Sequence, residues 1–173
     1  MTADRIAIRP ATTADVESVA KIYAHYVENT TVTLEEEPPS SEDWQRRLAA
    51  LAEARLPFLV ADACGEIVGY AYAAPWRPKP ANRYTVENSI YLAPEYSGRG
   101  LGTTLLNALL AACREAGIRQ VISVISAVGT DTGGASVALH RRCGFTDAGR
   151  LTGTGYKHGC WVDVLLMQCD LLR

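Results

Sequence analysis

The sequence predicts an α/β fold in which helices cover both faces of one mixed sheet. Three observations support this prediction. The chain has 173 residues, 48% of them apolar and 21% charged, which is the composition of one globular domain, expected over residues 1–173. Helical and strand periodicities of apolar residues follow one another along the chain. The predicted order of elements is β-α-α-β-β-β-α-β-α-β-β, with no repeat or long linker between them.

The first third of the chain predicts one strand and two helices. Apolar and polar residues alternate over residues 5–9, as in a short, half-buried strand. Thr12 precedes Asp15 by three residues, which is the capping-box pattern of a helix start, and apolar residues then recur at helical spacing. Ser40 and Asp43 repeat the pattern before a second helix. The polar segment between the two helices is expected to be a loop.

The middle of the chain predicts a run of three strands. Pro57 is expected to end the second helix, because proline has no N–H to donate and clashes with the preceding turn. Residues 58–61 and 67–73 are rich in strand-forming types, and the segment 64–66 between them suits a hairpin turn. A third strand is expected over residues 84–93.

The last third predicts two helices and three strands. An amphipathic helix is expected over residues 101–116, with Gly117 as its C-terminal cap. Residues 120–126 are apolar on both faces, so this strand is predicted to be central in the sheet. The remaining predicted elements are a helix at residues 135–142, ended by Gly144, and strands at residues 145–151 and 161–169. Trp161, which opens the last strand, is expected to pack.

Net charge and cysteine usage narrow the classes of function. The formal net charge is −2, from 17 basic and 19 acidic residues, so no attraction to nucleic acid or to an acidic membrane is expected. The five cysteines have no C-x-x-C spacing, which argues against a disulfide framework or a structural zinc site. The sequence has neither a signal pattern nor an apolar run near the roughly 18 residues of a membrane span. We expect a cytoplasmic protein without a metal.

Gly98, Gly100 and Gly102 form the most informative motif, between a predicted strand and a predicted helix. Glycines let the backbone approach a ligand closely, and the free N–H groups of a helix start favour a phosphate. Arg99 would add a cation, and the two threonines after Gly102 would add hydroxyl donors. The motif therefore predicts a pyrophosphate site.

Spacing alone leaves more than one interpretation of this motif. A P-loop requires a lysine after the last glycine, where this chain has Thr103 and Thr104. A dinucleotide-binding fold requires a G-x-G-x-x-G spacing and an acidic residue about 20 positions further on, and the strand at 120–126 carries none. These two interpretations are disfavoured. The third, a glycine-rich loop that serves only as a tight connection, stays open.

The motifs around the glycine loop resemble those of a known family. Residues 90–94, Ile-Tyr-Leu-Ala-Pro, followed by the glycines, resemble the coenzyme A loop of the GNAT family of N-acetyltransferases, whose order of elements matches the predicted one. Within that family the chain resembles the phosphinothricin and methionine sulfoximine acetyltransferases. The shared motifs are Thr-Thr-Val at 30–32, Pro-Trp-Arg at 75–77, Thr-Val-Glu-Asn-Ser-Ile-Tyr at 85–91, Ser-Val-Ala-Leu-His at 136–140 and Lys-His-Gly-Cys-Trp-Val-Asp-Val at 157–164.

This resemblance implies direct transfer of an acetyl group from acetyl-CoA to the primary amine of a small amino acid or analogue. Glu87 matches the family's general base, which would take a proton from the amine. His140 lies where many relatives place a tyrosine near the coenzyme sulfur, so it is the second catalytic candidate. Arg77 and Lys79, together with Glu87, are the candidates for binding the acceptor and its acidic group.

The resemblance also implies a coenzyme site and a homodimer. The candidate residues for binding acetyl-CoA are Tyr91, Leu92, Ala93, Ser97, Gly98, Arg99, Gly100, Leu101, Gly102, Thr103, Thr104 and Ser136. Because relatives form dimers, this chain is expected to pair with a second copy. No metal, no nucleic acid and no membrane partner is expected.

Several positions depart from the family pattern. Ser97 stands where the family usually has arginine or glutamine. Gly133 stands where an asparagine often contacts coenzyme A, a contact for which Asp131 or the loop backbone could substitute. Lys79 replaces a second arginine, and Leu34 replaces a frequent aromatic residue. The last two departures affect the acceptor pocket. The acceptor could therefore be another amine, such as a drug, a polyamine or a protein N-terminus, and a non-catalytic acyl-CoA-binding module is a further alternative.

Overall fold

The structure, a computed structural model, describes residues 6–129 and 134–172. Within these residues, seven strands and four α-helices follow the predicted order, which confirms the fold class. The elements are β1 Ile6–Pro10, α1 Val16–Asn29, α2 Ser41–Glu53, β2 Phe58–Ala63, β3 Glu66–Pro75, β4 Thr85–Leu92, α3 Leu101–Glu115, β5 Gln120–Val128, α4 Gly134–Arg142, β6 Thr146–Lys157 and β7 Cys160–Asp170.

Both predicted capping boxes are present. The Asp15 carboxylate accepts a hydrogen bond from the backbone N–H of Thr12 at 2.7 Å, in a short 3-10 turn that leads into α1. At the start of α2, the Ser40 hydroxyl accepts from the Asp43 N–H at 3.2 Å, and the Asp43 carboxylate accepts from the Ser40 N–H at 2.8 Å. These bonds satisfy donors that a helix start leaves free, which is why short polar residues begin both helices.

The described strands form one mixed sheet in the order β1-β2-β3-β4-β5-β7-β6. Neighbouring strands run antiparallel, except that β4 and β5 run parallel. Parallel neighbours need a crossover connection, which α3 supplies here. β5 lies between β4 and β7, as predicted for the central strand.

Different helices cover the two faces of the sheet. Tyr70 and Tyr72 of β3 belong to a buried cluster with Trp44 and the other core residues of α1 and α2. Ala71 and Ala73, the alternate residues of β3, lie in the cluster formed with α3 and α4. Because side chains alternate along a strand, one sheet separates two cores. The prediction of helices on both faces is confirmed.

The β6–β7 hairpin departs from the predicted boundaries. β6 continues past Leu151 to Lys157, and its register with β7 shifts between Leu151 and Gly155. This extension is glycine-rich and mostly polar, so no alternation of apolar residues signals it. The expectation that Trp161 packs is wrong. Trp161, near the start of β7, is 67% exposed beside Tyr156 of the edge strand β6, with ring centres 5.1 Å apart.

Two other boundaries differ. α2 ends at Glu53, before Pro57 is reached, and the chain turns at Arg55, whose φ is 57°. β5 runs to Val128 and is buried fully on one face only. On its other face Val124 is 37% exposed. Val124 lines a cavity, which is described below.

The cysteines and the helix lengths can be compared with what the sequence predicts about disulfides and membrane spans. Cys113 and Cys169 are buried, and all five cysteines are free thiols. Among the described residues, no helix is both long enough and apolar enough to cross a membrane. Cys64 and Cys160 are exposed and Cys143 is half-buried, so only Cys113 and Cys169 act as small apolar core residues.

Candidate active site

A cavity opens where β4 and β5 separate. The parallel pairing runs from Thr85 and Gln120 to Asn88 and Ser123, and no further pair joins the two strands within the described residues. β4 continues to Leu92, so its last residues have no strand partner on this side. The gap forms a cavity of about 860 Å³ that reaches from α1 and α2 on one face to α3 and α4 on the other.

Eight of the twelve predicted coenzyme-binding residues line this cavity. They are Tyr91, Leu92, Ser97, Gly98, Gly100, Gly102, Thr103 and Ser136. The other four do not: Ala93 and Leu101 are buried, and Arg99 and Thr104 are exposed outside its lining. Leu101 faces the core because α3 starts there with its apolar stripe turned toward the sheet. The loop therefore presents its glycines and backbone to the cavity.

Each glycine of the loop occupies a position where a side chain would be unfavourable, for one of two reasons. Gly98 and Gly100 have φ values of +75° and +84°, in the left-handed region that side chains disfavour. Gly102 has an ordinary φ, but a Cβ there would lie 3.3 Å from Leu139 of α4. The first helical hydrogen bond of α3 joins the Thr104 N–H to the Gly100 carbonyl at 3.2 Å. The N–H groups before Thr104 are therefore free of helical partners and suit an anion.

Glu87 lies on the cavity wall at the middle of β4. It is half-buried and pairs across the sheet with Ala74, on the face covered by α1 and α2. Burial raises the pKa of Glu87, and the nearby Arg77 guanidinium opposes that rise. Arg77 itself is exposed, with its guanidinium 4.9 Å from the centre of the Trp76 ring, and Lys79 is exposed as well. Neither of these cations lines the cavity.

His140 lies at the floor of the cavity, where the two strands part. Its Nδ1 lies 2.8 Å from the Ser136 carbonyl oxygen, which can only accept, so Nδ1 carries the proton. Nε2 then accepts from the Ser123 hydroxyl at 2.9 Å and from the Asn88 amide at 3.0 Å. Burial lowers the pKa of His140, which favours this neutral form. The Asn88 carbonyl oxygen is buried and has no hydrogen-bond partner, and Asn88 is one of the residues that line the cavity.

Sequence reasoning missed the wall contributed by α1 and α2. The Tyr26 hydroxyl donates to the Leu92 carbonyl at 2.5 Å, and the Tyr23 and Thr33 hydroxyls share a hydrogen bond of 2.6 Å. Arg47 donates to the Tyr72 hydroxyl at 3.0 Å. All six of these residues line the cavity. The tyrosine hydroxyls within the apolar stripe of α1 could have indicated this wall, because a buried tyrosine needs a hydrogen-bond partner. The Arg46-Arg47 pair carries no such indication in the sequence.

The described residues hold no cluster of His, Cys, Asp or Glu suited to a metal ion. Residues 130–133, which include Gly133 and Asp131, lie outside the described residues. The site therefore consists of a glycine loop at a helix start, a free strand edge, a half-buried carboxylate and a buried histidine network, all around one cavity.

Comparisons with known proteins agree with this arrangement. A family model described as "Acetyltransferase (GNAT) family" matches residues 19–145. A phosphinothricin N-acetyltransferase of Alcaligenes faecalis is 43% identical over 157 residues, 91% of this chain and 78% of that protein. An L-methionine sulfoximine/L-methionine sulfone acetyltransferase of Pseudomonas paraeruginosa is 39% identical over 165 residues, 95% of this chain and 94% of that protein.

Solved structures show the same architecture. The crystal structure of a phosphinothricin acetyltransferase from Sinorhizobium meliloti in complex with acetyl-CoA is 41% identical, with a TM-score of 0.87 over 95% of this chain and 88% of that chain. The structure of an acetyltransferase from Salmonella typhimurium with acetyl-CoA is 32% identical, with a TM-score of 0.90 over 96% of this chain and 94% of that chain. The resemblance inferred from the motifs is thereby confirmed, and the chain belongs to the GNAT family of acetyltransferases.

Proposed function

We propose that this chain transfers the acetyl group of acetyl-CoA to the primary amine of a small amino acid or analogue, of the phosphinothricin or methionine sulfoximine type. One observation carries the proposal: a single cavity joins the glycine loop at the start of α3 to Glu87 on β4. The relatives named above support this acceptor class, since they are named for amino acid analogues of this kind.

The α3 side of the cavity suits acetyl-CoA. The free N–H groups of the first turn of α3 would hold the pyrophosphate, because the left-handed Gly98 and Gly100 keep side chains out of its way. The unpaired edge of β4 would offer backbone donors and acceptors to the amide groups of the pantetheine arm.

The α1 and α2 side would position the amine next to Glu87. An amino acid's α-amine is largely protonated near neutral pH and then has no lone pair for attack. Glu87 would take that proton directly or through one water, and its burial strengthens it as a base. The amine nitrogen would bond to the carbonyl carbon as the carbon–sulfur bond breaks. The coenzyme would leave as a thiol after its sulfur takes up a proton equivalent to the one lost by the amine.

We propose that His140 acts by positioning Ser123 and Asn88, and does not itself donate a proton. A donor role would need a proton on Nε2, whereas Nδ1 carries the proton and Nε2 accepts two hydrogen bonds. The neutral ring would hold both partners in one orientation on the cavity floor. The predicted catalytic histidine would then hold the cavity floor in place and take no part in proton transfer.

An assay of thiol release from acetyl-CoA tests the proposed function. The panel contains phosphinothricin, methionine sulfoximine and the polyamine spermidine. The wild-type chain should acetylate the amino acid analogues, and Glu87→Gln should lower kcat/KM by roughly 10²- to 10⁴-fold while acetyl-CoA binding persists. Glu66→Gln is the matched control, because Glu66 is an exposed strand carboxylate that does not line the cavity.

Two outcomes would contradict the proposal. Acetylation of spermidine alone would identify the chain as an acetyltransferase of another amine. Coenzyme binding without turnover of any amine would identify an acyl-CoA-binding module.

We also propose that the chain is a cytoplasmic homodimer. The exposed Trp161 and Tyr156, beside each other at the edge of the sheet, support pairing with a second copy, because large exposed aromatic residues are typical of interfaces. The five free thiols fit a reducing compartment. Light scattering after size exclusion should give twice the mass of one chain, and Trp161→Ser should lower it. A monomeric wild-type chain would overturn the dimer.

A further inference from the structure

Arg47 of α2 presents a fixed guanidinium to the acceptor side of the cavity. The side chain is half-buried, and its guanidinium lies 4.5 Å from the ring centre of Trp44 and 5.6 Å from that of Tyr72. One of its nitrogens donates to the Tyr72 hydroxyl at 3.0 Å. Trp44 is only 1% exposed, so the stacking surface is part of the core. The guanidinium is thus held in place before any ligand binds.

This charge has no acidic partner in the part of the chain that the structure describes. The neighbouring Arg46 forms an ion pair with Asp43, whereas no carboxylate lies within ion-pair distance of Arg47. Burial lowers the pKa of Lys157, and Glu36 and the cavity-lining Glu35 oppose that change. A half-buried cation without a counterion favours the binding of an anion.

The sheet register places Arg47 on the same side of the cavity as Glu87. Tyr72, which Arg47 contacts, pairs with Ser89, and Glu87 lies two positions before Ser89 on β4. Opposed residues of an antiparallel pair point to the same face, and so do residues two apart on one strand. That spacing is about 7 Å along the strand. A small ligand with its amine at Glu87 and an anionic group several bonds away would therefore reach both residues.

We propose that Arg47 binds an anionic group at the end of the acceptor's side chain, so that the chain prefers amino acids with a terminal carboxylate or phosphinate over those with a neutral side chain. This inference rests on the proposed function, because it places the amine at Glu87. Arg77, exposed beside Glu87, remains as the partner for the α-carboxylate. Two cations would then match an acceptor with two negative groups.

The test compares two acceptors that differ in side-chain charge. Phosphinothricin carries an anionic phosphinate, and methionine sulfone carries a neutral sulfone. The wild-type kcat/KM should be higher for phosphinothricin. Arg47→Met should lower it roughly 10- to 100-fold for phosphinothricin, the effect of one lost charge-assisted contact, and change it little for methionine sulfone. Arg47→Lys, which keeps the charge without the planar fork, should retain part of the preference.

Arg46→Gln is the matched control, since Arg46 is an exposed arginine next in sequence and its loss should leave both acceptors unaffected. Thermal unfolding verifies that each variant is folded. An equal loss for both acceptors, or none, in folded Arg47→Met would overturn the role of Arg47 while the proposed function stands. Turnover of neither acceptor by the wild-type chain would overturn the proposed function, and this inference with it.

Discussion

Replacing Gly100 by alanine separates coenzyme binding from folding at the start of α3. Gly100 has a φ of +84°, and an added Cβ would meet no atom within 4 Å. The cost to the free energy of unfolding therefore comes from the left-handed backbone alone, about 1–2 kcal/mol. Gly100 also lines the cavity, so we expect the new methyl group to enter the space assigned to the pyrophosphate. The displaced pyrophosphate should lose at least one charge-assisted hydrogen bond, which should raise the KM for acetyl-CoA at least about tenfold.

Gly117→Ala is the control that isolates the backbone effect. Gly117 lies just past the other end of α3, has a φ of +79°, has equally open surroundings and does not line the cavity. Chemical denaturation should show a similar stability loss for both variants. Steady-state thiol release should show a raised KM for acetyl-CoA only in Gly100→Ala. If Gly100→Ala is destabilised but keeps the wild-type KM, the loop is merely a tight connection and the pyrophosphate assignment is refuted.

Two further predictions concern the groups around the reacting amine. Arg77 lowers the pKa of Glu87, so Arg77→Gln should raise that pKa. Activity needs the ionised carboxylate, so the acid limb of the kcat/KM profile should move to higher pH; an acid limb that stays in place would show that Glu87 is not the titrating base. His140→Asn should lower kcat/KM without moving either limb of the pH profile, because a neutral positioning ring exchanges no proton. Loss of one limb in that variant would show that His140 carries a proton in the reaction.

Elements with a local cause were predictable from the sequence. Thr12 and Ser40 begin helices through side-chain bonds made within three residues, and both boxes are visible in the sequence. Gly117 and Gly144 end their helices with φ values of +79° and +93°, which glycine adopts without strain. In each case the residue at the helix end itself supplies the hydrogen bond or the backbone conformation that the helix end needs. Local chemistry therefore suffices to place the boundary.

Elements that depend on distant partners were not predictable in this way. The second half of β6 forms only because β7 pairs with it, as in the pair Tyr156 and Trp161. Val124 belongs to an apolar run that predicts burial on both faces, yet one face borders the gap between β4 and β5. The divergence of two strands is a tertiary property. No periodicity within either strand encodes it.

The site residues also fall into a group that the sequence predicts and a group that depends on distant packing. The motif around Glu87 predicted its place on the cavity wall, and the structure brings it there. Arg77 and Lys79 were predicted from the same motif set but lie exposed, outside the lining. Arg47 and Tyr26 line the cavity without any motif, because α1 and α2 fold over the sheet from distant parts of the chain. Resemblance finds residues that a family shares, whereas an acceptor pocket is assembled by packing.

Parallel detection of the two products tests the central claim most directly. The wild-type chain is incubated with acetyl-CoA and phosphinothricin. Free thiol is measured with a chromogenic thiol reagent, and the acetylated amino acid is measured by mass spectrometry. We predict equal amounts of thiol and of product acetylated on the α-amine, with both lowered together roughly 10²- to 10⁴-fold in Glu87→Gln. Thiol release without an acetylated amino acid, or coenzyme binding without either product, would contradict it.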